Sequence, residues 1–273
     1  MKKIFAILLA SLLLLTLFSC GNKGDDTTDS EQTAAQKEVV DEYVFENFKY
    51  TVNIKGDYEI TGFIYGGIEL LDVVIPAEIN TRPVTGIGKD AFKAMKNIKS
   101  VKIPDTVGYI SDYAFYDCDY ITQITLPASL TTIGMGAFQD CDALVEIAMN
   151  DKLTAIGDYA FKGCDSLTDV ALPESLLTIG DGAFTECGEL LEITVPTGVT
   201  EIGDLAFADC ENLADITVLG EVENIGKFVF NDCAEDAVFN TTPGTAFDTY
   251  AVENGYKEAT NETPNGPEAT PEA

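Results

Sequence analysis

The 273-residue chain has no histidine and no tryptophan, and its 16 lysines and arginines face 46 aspartates and glutamates. Without histidine, the commonest general base and the commonest metal ligand are missing. Without tryptophan, sugar stacking falls to 11 tyrosines. A formal net charge of −30 argues against nucleic acid or anionic lipid as the main partner, because phosphates are repelled. No CxxC pair marks a zinc site. The chain also lacks a glycine-rich phosphate loop and a nucleophile–base pair. Carboxylates are so abundant that a chance acid dyad carries no weight. The sequence therefore offers no catalytic residues, and the chain is read as a non-enzyme. Hydrophobic content of 46% is nevertheless enough for a real core.

The first twenty residues have a separate role. Lys2 and Lys3 precede an almost wholly apolar run from Ile4 to Phe18, too short for a comfortable membrane span and suited to a signal peptide. The run ends in Leu17-Phe18-Ser19-Cys20-Gly21, which resembles a bacterial lipobox. The resemblance implies cleavage before Cys20 and a diacylglycerol on its sulfur. The alternative is an ordinary secretory signal with an incidental cysteine. Cleavage removes both early lysines and takes the charge from −30 to −32. Residues 1–19 are thus read as a lipoprotein signal, and residues 20–42, polar and acidic, as a disordered tether. Residues 259–273, rich in Pro, Thr and Glu, are read as a disordered tail.

Between these flanks the sequence repeats itself. Phe92, Phe115, Phe138, Phe161, Phe184, Phe207 and Phe230 are spaced by 23 residues throughout. Three residues after the phenylalanine come Met95 and then Cys118, Cys141, Cys164, Cys187, Cys210 and Cys233. In the first six units Ile or Leu stands six after it, and further apolar residues stand nine and eleven after it, as in Leu144, Ile147 and Met149; in the last unit Asp236 takes the first of these places. Period-two alternation there predicts a short strand with Ile147 and Met149 inward. Pro104, Pro127, Pro173 and Pro196 stop the strand, and Leu176–Ile179 predicts a second extended run. Gly180 permits a bend, after which Asp181, with Asp112, Asp158 and Asp204 in equivalent places, is expected to cap a one-turn helix carrying Ala183, Phe184 and Cys187. A single coil cannot bury these side chains; stacked coils can, like upon like.

The 23-residue unit I-G-x-x-A-F-x-x-C-x-x-L-x-x-I-x-L-P resembles the BspA-like leucine-rich-repeat surface proteins. The resemblance implies an α/β leucine-rich-repeat solenoid: a right-handed superhelix of 23-residue coils with a parallel strand sheet and short helical turns. Residues 43–83 are then an N-terminal capping unit, 84–239 seven repeats, and 240–258 a C-terminal cap. It further implies surface exposure and adhesion or protein binding, and no catalytic residue.

Two features on the predicted surface are candidate binding elements. Glu146, Asp169, Glu192 and Asp215 share one repeat position and should form a four-step acidic ladder on the outer strand face. Beside it run the small residues Thr125, Ala148, Ala171, Thr194 and Thr217. Such a face suits a basic partner or weak calcium sites between coils; equally, it is a solvated surface that stops solenoids pairing laterally. Tyr113 and Tyr159, in register and near Tyr109, Tyr116 and Tyr120, are either binding anchors or filling for an end of the core. The cysteines share the repeat period. Their Cβ atoms are expected ~4.8 Å apart, outside the ~3.5–4.5 Å of a bridge, so they read as small buried hydrophobes.

The sequence thus indicates an exported protein, surface or periplasm-facing, held to the bacterial membrane by lipid at Cys20. It needs no cofactor, binds a protein or other macromolecule but not nucleic acid, and works as a monomer. The alternative is a structural envelope scaffold without a dedicated ligand. Replacing Cys20 tests the anchor: Cys20→Ser should move the protein from the membrane fraction to the soluble exported fraction, and continued membrane retention would rule the anchor out.

Overall fold

A computed structural model describes residues 43–257; the signal, tether and tail lie outside the described residues. Each coil contributes two short extended runs, and each run pairs with the same run of the next coil. In the first row, Leu71–Val74, Ile98–Lys102, Gln123–Thr125, Glu146–Ala148 and Asp169–Ala171 form a five-stranded parallel sheet. Glu192–Val195, Asp215–Val218 and Val238–Thr241 form a separate three-stranded parallel sheet further along. In the second row the two-residue strands Tyr109–Ile110, Thr132–Ile133, Ala155–Ile156, Thr178–Ile179, Glu201–Ile202 and Asn224–Ile225 follow one another in parallel. At its N-terminal end this row continues through Arg82–Ile87 to Tyr58–Phe63, paired in parallel, and then through Phe48–Val52 to Tyr43–Phe45, paired antiparallel.

Register follows the sequence period. Ile124, Ile147 and Val170 are direct neighbours, as are Ile110, Ile133, Ile156, Ile179, Ile202 and Ile225. The same translation stacks the phenylalanines. Consecutive rings from Phe92 to Phe230 lie 4.9–5.3 Å apart and within 9° of parallel. Aromatic pairs free to choose prefer offset or edge-to-face arrangements; here the strand spacing of about 4.8 Å sets the geometry instead. The column is closed where translation stops. Phe63 packs on Phe92, while Phe239 and Phe247 meet Phe230 edge-on at 84° and 86°. The helix Ala246–Glu253 carries Phe247 and starts at Thr245, whose hydroxyl accepts the amide of Asp248 at 3.1 Å.

The segment around each phenylalanine differs from expectation. It is a run of turns and not a one-turn helix; Ala246–Glu253 is the single helix among the described residues. The residues two before and two after the phenylalanine take left-handed backbone angles, as in Tyr113 and Asp117, Tyr159 and Gly163, Gly182 and Glu186, and Leu205 and Asp209. Alternate amides consequently point along the solenoid axis. Tyr159, Phe161 and Gly163 donate to the carbonyls of Asp181, Ala183 and Thr185 in the next coil at 2.7–2.9 Å. The amides between them bond within the coil, Ala160 to Gly157 and Lys162 to Tyr159. A helix would satisfy all its amides internally; the alternating backbone gives half of them to the neighbouring coil.

The aspartates expected to cap helices act between coils. The Oδ1 atoms of Asp112, Asp158, Asp181 and Asp204 accept the amides of Met135, Asp181, Asp204 and Lys227, each 23 residues on, at 2.7–3.1 Å. The residue before the aspartate approaches the previous coil closely. A Cβ on Gly180 would lie 2.5 Å from the Asp158 nitrogen, so only glycine fits.

Removing one ring from the middle of the column leaves a cavity whose neighbours are held by their own backbone ladders. Phe161→Ala should therefore cost about 3–5 kcal/mol in equilibrium denaturation. A loss under about 1 kcal/mol would mean that the column does not carry the core.

Candidate functional site

Two side-chain ladders were legible as candidates: the inward cysteines and the outward acids. The thiols of Cys118, Cys141, Cys164, Cys187, Cys210 and Cys233 are free, and the first five of these residues are fully buried. Each donates to the carbonyl of the phenylalanine one coil back, at 3.1–3.3 Å. They are thus more than small hydrophobes: each answers a carbonyl in the turn ladder. Burial pushes the thiols up, to about 12 for both Cys118 and Cys233. Because the thiolate is the reactive form, iodoacetamide at pH 8 should leave all six unmodified in the folded protein and label them after unfolding. Rapid labelling of the native state would contradict this packing.

On the outer strand face, Glu146 and Asp169 are direct cross-strand neighbours, and so are Glu192 and Asp215. The expected four-step ladder is therefore two pairs, divided where the first-row sheet breaks between Asp169–Ala171 and Glu192–Val195. Thr125, Ala148 and Ala171 form the adjoining small row, and Thr194, Thr217 and Asn240 form its counterpart. Glu146, Asp169, Glu192, Asp215, Thr125, Ala148, Ala171 and Thr194 are exposed, and Thr217 is half-buried. Asn240 donates to Asp215 at 3.1 Å. Among the described residues no cation lies within ion-pair distance of these four acids.

The first pair borders a shallow open depression of about 430 Å³. Glu146, Asp169 and Gln123 line it together with the small residues Ala148, Ala171 and Thr125 and the apolar Ile124, Ile147 and Leu126. Gln123 and Leu126 were not singled out from the sequence, although the 23-residue register places them beside Glu146 and Met149. The same register puts Lys102 and Val74 at the N-terminal end of the small row. No three or more Cys, Asp or Glu residues among the described residues converge to hold a metal ion. The acids form a file along the axis, and neighbours in a file share too few oxygens for a cage.

Tyr113 and Tyr159 sit elsewhere. Both occupy left-handed turn positions and line no part of the depression. Their rings cover glycines of the following coil: a Cβ on Gly136 or Gly182 would come within 2.6 Å of the Tyr113 or Tyr159 ring. Lys93 lies 5.5 Å from the Tyr113 ring centre and 5.1 Å from that of Tyr116. Tyr113 is half-buried, while Tyr159 keeps 41% exposure. The structure does not join these tyrosines to the acidic face.

A stack of 23-residue coils with two parallel strand rows and a repeated open strand face defines a leucine-rich-repeat solenoid. The chain belongs to the family described as BspA type leucine rich repeat region, which matches residues 58–167 and 108–237 in six copies. Among solved structures, the leucine-rich repeat protein of T. pallidum is 30% identical with a TM-score of 0.67, over 80% of this chain and 97% of that one. A leucine-rich repeat protein from Bacteroides ovatus is 26% identical with a TM-score of 0.51, over 75% of this chain and 62% of that one. A leucine rich cell surface protein from Faecalibacterium prausnitzii, 22% identical with a TM-score of 0.50, shares the fold over 74% of this chain and 76% of that one. No curated protein matches the chain. Among the described residues no helix is long and apolar enough to cross a membrane.

Proposed function

We propose that this is a non-enzymatic, lipid-anchored cell-surface protein that binds a protein or other macromolecule through the outer face of its first strand row. The observation that carries the reading is the Glu146–Asp169 pair, which is exposed, lacks a cation and borders the open depression. Carboxylates presented in this way offer attraction and register to a basic, extended segment, and most of their effect is on encounter rate and specificity. The small row beside them lets a partner's backbone approach the sheet. Leu17–Gly21 supports the anchor, because it resembles a lipobox that puts diacylglycerol on Cys20, and more than one acyl chain is what holds a protein stably to a bilayer. The surface description of the Faecalibacterium neighbour points the same way.

The test is charge reversal on an intact fold. Partners retained from envelope or host-surface extracts by the chain from Cys20 onward would be titrated against the wild type and Glu146→Lys/Asp169→Lys. We expect saturable binding that weakens tenfold or more, about 1.4 kcal/mol, with unchanged thermal unfolding and lower affinity at high salt. Binding indifferent to the reversal, or no saturable partner at all, would instead make the chain an envelope scaffold whose acids serve only hydration.

A further inference from the structure

The second strand row carries an outward aromatic residue at a place the repeat does not dictate. Tyr109 lies between Gly86 and Thr132, and the equivalent residues of the later coils are Ala155, Thr178, Glu201 and Asn224. Its ring leans across Gly86, where a Cβ would lie 2.1 Å from Cζ of the tyrosine. This carries the hydroxyl to Glu59, one strand further, to which it donates. Burial and the Glu59 carboxylate hold the phenol above its ordinary value, so it stays protonated and in place.

The turn Asn53–Asp57 borders the same part of the surface. Oδ1 of Asn53 accepts the amides of Lys55 and Asp57 at 2.9 and 3.1 Å, and its Nδ2 donates to the Thr85 hydroxyl at 3.2 Å. Arg82 donates to the Gly56 carbonyl at 3.3 Å. The turn is thus tied twice to the strand Arg82–Ile87. Turn and tyrosine line one recess of about 460 Å³, within the ~300–1,000 Å³ of small-molecule sites. Lys55 and Asp57 supply its charges, and Lys55 forms no ion pair among the described residues. Three threonines supply hydroxyls. Thr106 and Thr131 donate to the carbonyls of Ala77 and Gly108 at 3.3 and 3.0 Å, which leaves their oxygens as acceptors. Thr85 accepts from Asn53 and keeps its proton to donate. The apolar lining is Tyr109 and Ile54, whose side chain is fully exposed.

This mixture selects among ligands. A peptide strand cannot add here, because the amides of Gly108, Thr131 and Thr154 already bond the carbonyls of Thr85, Gly108 and Thr131. A wholly apolar ligand would strip water from Lys55 and Asp57 without replacing it. An anionic one meets the negative surplus of the chain. Sugar hydroxyls each donate and accept, so neighbouring hydroxyls can answer Asp57 and Lys55 together, while the C–H face of the ring covers Tyr109 and Ile54. From this combination we infer that the recess is a carbohydrate subsite, taking a pyranose residue of a neutral glycan. It lies on the second strand row and uses none of the acids of the first, so either reading stands or fails without the other.

Saturation-transfer NMR on the chain from Cys20 onward, carrying Cys20→Ser, tests it. The probes are the methyl glycosides of glucose, galactose, mannose and N-acetylglucosamine, with methyl glucuronide as the anionic control. At least one neutral glycoside should bind saturably and better than the glucuronide. Lys55→Met/Asp57→Asn, which leaves Asn53 and Tyr109 in place, should weaken that binding tenfold or more with unchanged thermal unfolding. Ile54→Ala should weaken it less, and Glu146→Lys/Asp169→Lys should bind like the wild type. No saturable binding of any neutral glycoside, preference for the glucuronide, or affinity untouched by Lys55→Met/Asp57→Asn would overturn the proposal.

Discussion

Everything in this protein depends on one translation of about 4.8 Å per coil, fixed by hydrogen bonds between like positions of successive coils. Three sets of bonds enforce it: the two strand rows and the turn ladder through Tyr159, Phe161 and Gly163. Because all three sides of the coil are tied to the next, side chains between them have no freedom to rearrange pairwise. The parallel phenylalanine stack follows from that restriction and not from any preference of the rings. The thiol of Cys187 can reach the carbonyl of Phe161 for the same reason, since each coil repeats the position of the last. Stability in such a chain is nearest-neighbour in character, so the end coils, with one neighbour each, need the caps that Phe63 and Phe247 provide.

The turn ladder accounts for residue choices that otherwise look like surface decoration. Asp117, Asp140, Glu186, Asp209 and Asp232 stand two after the phenylalanine, where the backbone is left-handed. Aspartate enters that region more easily than most side chains, because its short polar group bonds locally. Part of the acidity of this chain is thus conformational in origin. Tyr113, Tyr159, Leu205 and Phe228 take the other left-handed position without that advantage, at a cost of order 1–3 kcal/mol each for sparsely populated backbone. The tyrosines recover some of it by covering the glycines of the following coil.

The repeat period made the strands, the inward columns and the register readable before any coordinates, because a 23-residue translation acts on every position alike. Its local content was harder to read. Asp181 before a turn has the signature of a helix cap, and the inter-coil acceptor seen here demands the same residue at the same place. Sequence alone cannot separate a side chain that bonds forward within its own turn from one that bonds 23 residues away. The left-handed positions were hidden for a related reason: Tyr159 and Leu205 are poor markers of such backbone, and only Gly136 and Gly182 in the same column hint at it. On the candidate face, the row of Glu146 and Asp169 was legible. Its break before Glu192 was not, since the sequence pattern continues unaltered across the point where pairing stops.

Charge is the property that translation does not equalise. The repeat fixes which positions are inward and leaves the outward ones free to differ from coil to coil. Their drift from lysine-rich at residues 88–110 to acidic beyond residue 111 is therefore not imposed by the fold. Lateral approach of two acidic strand faces is opposed by like charge at spacings within a Debye length of about 8 Å. The acidic strand face thus discourages sheet-to-sheet association, the usual hazard of exposed strands.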